Sequence, residues 1–275
     1  MADVREPAVA GQFYAGTAQS LREQVTGSYT HPIGPGRVPD VVPGSPSVNG
    51  LVAPHAGMPY SGPIAAHAYA ALAASGQPET VVIVGPNHTG IGAPVALPGH
   101  GRWRTPLGTL SIATALRDTL ADRTDATIDE RAHAREHAAE VQLPFLQERF
   151  DGVEILPISL RRQDAETARA LGTAIASASD EGTVVIASSD FTHYEPHDVA
   201  LERDKLALAQ IRAADPDGLV ETVDAEGLSV CGYGAIATML HAVDGEPDVL
   251  AHATSGDTAG STDEVVSYAA VAVEA

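Results

Sequence analysis

The sequence is poor in cysteine, in lysine and in long apolar runs, and each scarcity narrows the options. Cys231 is the single cysteine among 275 residues, which excludes an internal disulfide framework and any zinc cluster built from cysteines alone. Of 16 basic residues Lys205 is the only lysine, leaving 15 arginines. It follows an aspartate, so no Gly-x-x-x-x-Gly-Lys phosphate loop exists. No uninterrupted apolar run approaches the ~20 residues that span a bilayer. The opening MADVREPAVAGQFYAG is charged and has no apolar stretch, so no secretory leader is expected and the expected location is cytoplasmic.

What the chain has in excess is acid. Its 36 acidic residues against 16 basic ones give a formal charge of −20. Such a polyanion repels DNA, RNA and anionic lipid, so neither nucleic acid nor membrane is an expected partner. The acidic residues are dispersed, with a moderate cluster in ADRTDATIDERAHAREH (121–137). A dispersed acidic surface with almost no lysine reads either as a halophilic surface kept soluble in high salt, where repulsion is screened, or simply as a solvated acidic surface, rather than as an acidic binding patch.

Short runs rich in Val and Ile alternate with alanine-rich helical patterns. The strand-like runs are Val48–Ala53, Thr80–Val84, Glu154–Ser159, Thr183–Ala187 and Val265–Val273. The helix-like stretches are Gly62–Ala74, Ile112–Ala121, Arg135–Arg149, Ala165–Ala178, Ala200–Ala213 and Gly234–Val243. This alternation predicts an α/β fold with a central, mostly parallel or mixed sheet flanked by helices. The first four runs show little period-2 alternation, as strands buried on both faces should. Thr30–Ser47 is dense in Pro and Gly and reads as an irregular connection, and the 29 residues before it are too few for a core of their own. The chain is therefore expected to be a single domain over residues 1–275.

Three of the predicted strands end in polar residues. Val48–Ala53 runs into Pro54-His55-Ala56-Gly57, Thr80–Val84 into Gly85-Pro86-Asn87-His88, and Thr183–Ala187 into Ser188-Ser189-Asp190-Phe191-Thr192-His193. Ligands bind beyond the carboxyl ends of strands in open α/β sheets, so His55, His88, Asp190 and His193 are expected on one rim. Cys231 precedes the helical run after Gly234. It reads either as a thiolate favoured by a helix N-terminus or as an inert buried thiol. In Arg135–Arg149, His137 and Glu140 are three apart and share a face if the stretch is helical. His133-Ala134-Arg135-Glu136-His137 matches the H-x-x-E-H zinc pattern. Gly232-x-Gly234-x-x-Ala237 resembles a dinucleotide fingerprint without a preceding strand. Trp103 and His67 read as packing residues.

Taken in order, these motifs resemble the Memo family, including its archaeal and bacterial relatives called AmmeMemoRadiSam system protein B. The resemblance rests on Arg5-Glu6-Pro7, Gly11-Gln12-Phe13-Tyr14, Ala53-Pro54-His55-Ala56-Gly57, Ala66-His67-Ala68-Tyr69, Gly85-Pro86-Asn87-His88, Glu136-His137 with Glu140, Ser188–His193, Cys231-Gly232 and Val266–Ala270. It implies a fold like that of the class III extradiol dioxygenases, with His55, His88 and Cys231 as metal ligands and His193, Asp190, His137 and Glu140 as catalytic groups. Cys231 stands where the dioxygenases place a carboxylate. Iron(II) is the implied cofactor, and the softer thiolate also suits copper or zinc.

Three functions follow in order of preference: a metal-dependent, dioxygenase-like oxidoreductase acting on a small molecule, a catalytically vestigial pocket that binds a peptide or protein, and a zinc hydrolase using His133 and His137.

Overall fold

In the computed structural model, which describes residues 3–275, a two-residue strand β1 (Val4–Arg5) and helix α1 (Ala18–Thr30) precede the first core strand, β2 (Val48–Ala53). Helix α2 (Met58–Ser75) leads to β3 (Thr80–Pro86). Short elements follow: β4 (Val95–Leu97), β5 (Arg102–Thr105), β6 (Gly108–Ile112), α3 (Thr114–Arg123) and β7 (Thr127–Ile128). Next come α4 (Leu143–Arg149), β8 (Glu154–Leu160), α5 (Ala165–Ala178), β9 (Thr183–Ser188) and β10 (His193–Glu195). Helices α6 (His197–Arg212), α7 (Pro216–Glu226) and α8 (Tyr233–Ala242) precede β11 (Glu246–Thr254), α9 (Ser255–Ala259) and β12 (Val265–Glu274).

The strands form one mixed sheet in the order β1-β5-β6-β8-β3-β9-β2-β12-β10, with β11 on β12, β4 on β8 and β7 on β4. Its centre, β8-β3-β9-β2, is parallel. Val81–Val84 and Val184–Ala187 are at most 2% exposed, which is why these runs show no alternation. The crossovers β2-α2-β3 and β8-α5-β9 travel across the sheet in opposite directions, so right-handed connections place α2 and α5 on opposite faces. Helix α2 packs on β2 and β12 with α1 beside it, and α8 packs on β3 and β9 with α5 against it. The predicted α/β architecture, with a mixed sheet between helices, is the one observed.

Register then positions the site. Ala53 lies opposite Ser188 and Val84 opposite Ala187, so β2, β9 and β3 end together and deliver residues 55, 190 and 88 to one edge. Cys231 reaches that edge because Gly232 lets the start of α8 touch the end of β9. A Cβ at 232 would lie 2.5 Å from the Ser188 carbonyl oxygen and 2.7 Å from Ser189 Cβ.

The stretch 135–149 is not the single helix its pattern predicts. It is a turn, a short 3₁₀ segment at Glu140–Gln142, and α4 starting only at Leu143. Other groups take the backbone partners a helix would use. The Glu136 carboxylate accepts the His137 and Ala138 N–H groups, and the Arg5 guanidinium takes the His133 and Glu136 carbonyls. Pro144 fits the first turn of α4, where its missing N–H costs nothing. Elsewhere α2 begins four residues before the predicted Gly62 and α6 three before Ala200, while Ile112 closes β6 rather than opening a helix. The short strands β4 to β7, with β10, β11 and α7, carried no sequence signal that was read.

Candidate metal centre

His55 is 1% exposed. Its Nδ1 lies 2.9 Å from Ser188 Oγ, whose own proton goes to the Ala138 carbonyl at 2.8 Å. Gln142 Nε2 donates to the same Oγ at 2.8 Å, its amide oriented by the Tyr69 hydroxyl on its oxygen. With the hydroxyl hydrogen committed, His55 Nδ1 must be the donor, and its Nε2 carries a free lone pair. Burial, then the neighbouring His137, His88 and His193, push the His55 pKa well below its ordinary value, so the ring is neutral.

His88 is fixed by a carboxylate. Its Nδ1 donates to Glu136 Oε1 at 2.8 Å, and its backbone N–H donates to Oε2 at 2.6 Å. Burial raises the Glu136 pKa, but the His88 hydrogen bond and charge, with the Ala138 N–H, outweigh it and hold the group at about 2. Glu136 is therefore ionised, and His88 too turns Nε2 outward.

The Cys231 sulfur lies 3.3 Å from His55 Nε2 and accepts the Asp190 N–H at 3.2 Å. Burial, then the Asp190 charge, push the thiol above its ordinary range. A cation among these groups would reverse that balance and draw the thiolate out. Ligand atoms of His55, His88 and Cys231 all lie within 4.8 Å of one another. Two imidazole nitrogens and a thiolate form a donor set that iron, copper and zinc accept. The residues fit a single ion.

The other expected residues are distributed around this triad. Asp190 Oδ1 accepts the N–H groups of His55 at 2.8 Å and Ala56 at 3.2 Å, while burial raises its pKa. His193 points Nδ1 at the carbonyls of Phe191 (2.7 Å) and Ser229 (2.9 Å), which fixes the proton there. His137 stacks on His88 with ring centroids 4.5 Å apart and meets Phe13 at 4.5 Å. Burial, countered by Glu136, brings the His137 pKa down to about 4.

Glu140 is not brought to the centre. Its carboxylate pairs with Arg5 and accepts the Ala8 and Val9 N–H groups and the Tyr14 hydroxyl. The helix is broken upstream, at residues 136 and 137, and Glu140 on the 3₁₀ segment is drawn to the N-terminal arm. His133 lies with the same arm, its Nε2 on the Ala96 carbonyl at 3.2 Å and its ring against Trp103. It joins neither metal-capable group among the described residues, so the zinc pattern is not assembled. Trp103 is buried on β5 beneath the Arg5 guanidinium, 4.1 Å from it, and His67 bonds the Ile33 carbonyl. Both pack, as expected.

Sequence reading passed over the groups that orient the imidazoles: Ser188, Gln142 and Glu136. Ser188 directly follows a predicted strand, and Glu136 stood in the H-x-x-E-H string and beside His137 in the family motif without a role of its own.

A family model described as Memo-like protein matches residues 5–272. A MEMO1 family protein of Methanopyrus kandleri is 45% identical over 276 residues, covering 97% of this chain and 98% of that one. One from Sulfurisphaera tokodaii is 44% identical, covering 98% of each. The crystal structure of an uncharacterized protein from Escherichia coli K12 matches with a TM-score of 0.60 at 16% identity, covering 82% of this chain and 99% of that one. That likeness concerns the fold alone. No helix among the described residues is long and apolar enough to cross a membrane. Near-full-length relatives at such identity, under one family model, leave a single conclusion: the chain belongs to the Memo-like family.

Proposed function

We propose that this protein is a metal-dependent oxidoreductase acting on a small molecule, with one ion, iron(II) foremost, held by His55, His88 and Cys231. The observation that carries this reading is the convergence of three ligand atoms from three distant segments within 4.8 Å, with the Nδ1 of both imidazoles held by hydrogen-bond partners that leave Nε2 unprotonated. Iron is placed foremost on the family resemblance, in which Cys231 takes the position of a carboxylate; two imidazoles and a thiolate are equally a donor set for copper(I) and zinc. When bound, the ion supplies Lewis acidity and a one-electron couple.

The chain's own groups then handle position and protons. Asp190 fixes the His55 backbone through two amide hydrogen bonds. His193, its Nδ1–H held by two carbonyls, keeps Nε2 available to take a proton from a substrate hydroxyl and return it. His137, neutral over most of the working pH range, is an acceptor beside His88.

Elemental analysis of protein purified without oxygen tests the reading. The wild type is expected to carry near one equivalent of iron per chain, and a His55→Ala, His88→Ala double variant none. Full metal content in the double variant would move the site elsewhere. No uptake by the wild type, even after anaerobic iron loading, would overturn the metal-centred function.

A further inference from the structure

The two imidazoles of the centre are oriented by unlike groups. His55 Nδ1 donates to a neutral hydroxyl, Ser188 Oγ, at 2.9 Å. His88 Nδ1 donates to a carboxylate, Glu136 Oε1, at 2.8 Å. Glu136 is 4% exposed, and four N–H groups converge on it: the His88 ring and backbone, His137 and Ala138. One of its oxygens, with one nitrogen each of His88 and His137, also forms a group within 4.8 Å. A second cation between them would compete with these hydrogen bonds, three of which fall on Oε1. The arrangement is that of a brace.

We propose that Glu136 is the positioning residue of the metal centre and that it makes His88 the more strongly anchored of the two histidine ligands. The proposal rests on the metal reading above. A carboxylate accepting Nδ1–H holds the ring in the tautomer whose Nε2 lone pair faces the ion, fixes its plane and raises the basicity of Nε2. A hydroxyl does the first two without the charge. Four hydrogen bonds, two of them from the backbone of residues 137 and 138, fix the brace itself. Loss of such a partner weakens metal binding by about 10–100-fold. Removing the neutral partner of His55 should weaken it less.

Cobalt(II) alone is the probe, titrated anaerobically into the full-length wild type and into Glu136→Gln, Glu136→Ala and Ser188→Ala, with thermal melts to confirm folding. The thiolate-to-cobalt absorption band reports ligation through Cys231. The wild type is expected to bind one equivalent, Glu136→Gln about 10-fold more weakly, Glu136→Ala about 100-fold more weakly, and Ser188→Ala within a few-fold of wild type. Nitrogen-15 NMR of the metal-free protein supplies a second readout. His88 should be held as the Nδ1–H tautomer in the wild type and should populate the Nε2–H tautomer in folded Glu136→Ala. The inference falls if both Glu136 variants bind cobalt as the wild type does, if Ser188→Ala loses more affinity than Glu136→Gln, or if His88 keeps its tautomer in Glu136→Ala. Failure of the underlying reading looks different: the wild type takes up no cobalt, or His88→Ala takes it up unchanged. The tautomer measurement still decides whether Glu136 orients His88.

Discussion

Glu136 and Glu140 are four residues apart, both buried and each the acceptor of several hydrogen bonds, yet they serve opposite sides of one segment. Glu136 faces the sheet edge and gathers His88 with the local backbone. Glu140 faces away and gathers the N-terminal arm through Arg5, Ala8, Val9 and Tyr14. A continuous helix would have placed both on one stripe. Because the backbone between them turns instead, one carboxylate became part of a candidate centre and the other the clasp of the fold. Two buried glutamates thus divide into one that holds His88 beside the candidate centre and one that holds the N-terminal arm.

The sharpest way to break this contrast is Glu140→Ala. It would leave the Arg5 guanidinium, 3% exposed, without its counter-charge. Removing one member of a buried ion pair costs about 3–5 kcal/mol, to be read as a lowered midpoint in chemical denaturation. Cobalt affinity of the folded fraction should stay within a few-fold of wild type. A stable variant with impaired cobalt binding would mean that Glu140 serves the centre after all.

Acid should test the arm side next. Burial, then the Arg5 charge, lowers the His133 pKa to about 4 against 6.5 in an unfolded chain. The unfolded state therefore binds the proton more readily below pH 6.5. The stability this neutral ring contributes is complete above that pH and is lost as pH falls toward 4. The whole contribution is about 3 kcal/mol, at 1.36 kcal/mol per pKa unit. In His133→Gln this part of the pH dependence should flatten. An unchanged stability profile between pH 6.5 and 4 would show that His133 is not held neutral.

Trp103→Phe is expected to have the smallest effect, about 1–2 kcal/mol, from a weaker stack under Arg5 and some lost volume. The indole Nε1 has no hydrogen-bond partner among the described residues, so its removal adds no unpaired group. A loss as large as that of Glu140→Ala would make the aromatic stack, rather than the ion pair, the clasp of the arm.

The parallel centre of the sheet was legible because doubly buried strands leave continuous Val and Ile runs, and His55, His88 and Asp190 were legible because they follow such runs directly. The helix over 135–149 misled because apolar spacing around Leu143 and Leu146 is genuine, whereas the termination upstream depends on Arg5, some 130 residues away in sequence. Ser188 and Gln142 carried no signal of their own. A serine at a strand end and a glutamine in a turn become informative only when their hydrogen-bond partners are known. Strands β4 to β7 escaped notice because runs of two to five residues are too short to show a period.

The donors also arrive at different times. His55 and Cys231 are 176 residues apart, and β2, which presents His55, is flanked by β12, which follows Cys231 in the sequence. During vectorial synthesis both imidazoles leave the ribosome long before the thiol does. A nascent chain with two imidazoles alone is a weak and indiscriminate chelator. The full candidate donor set exists only once α8 has docked, so on the proposed metal reading the ion is captured after that step rather than before it.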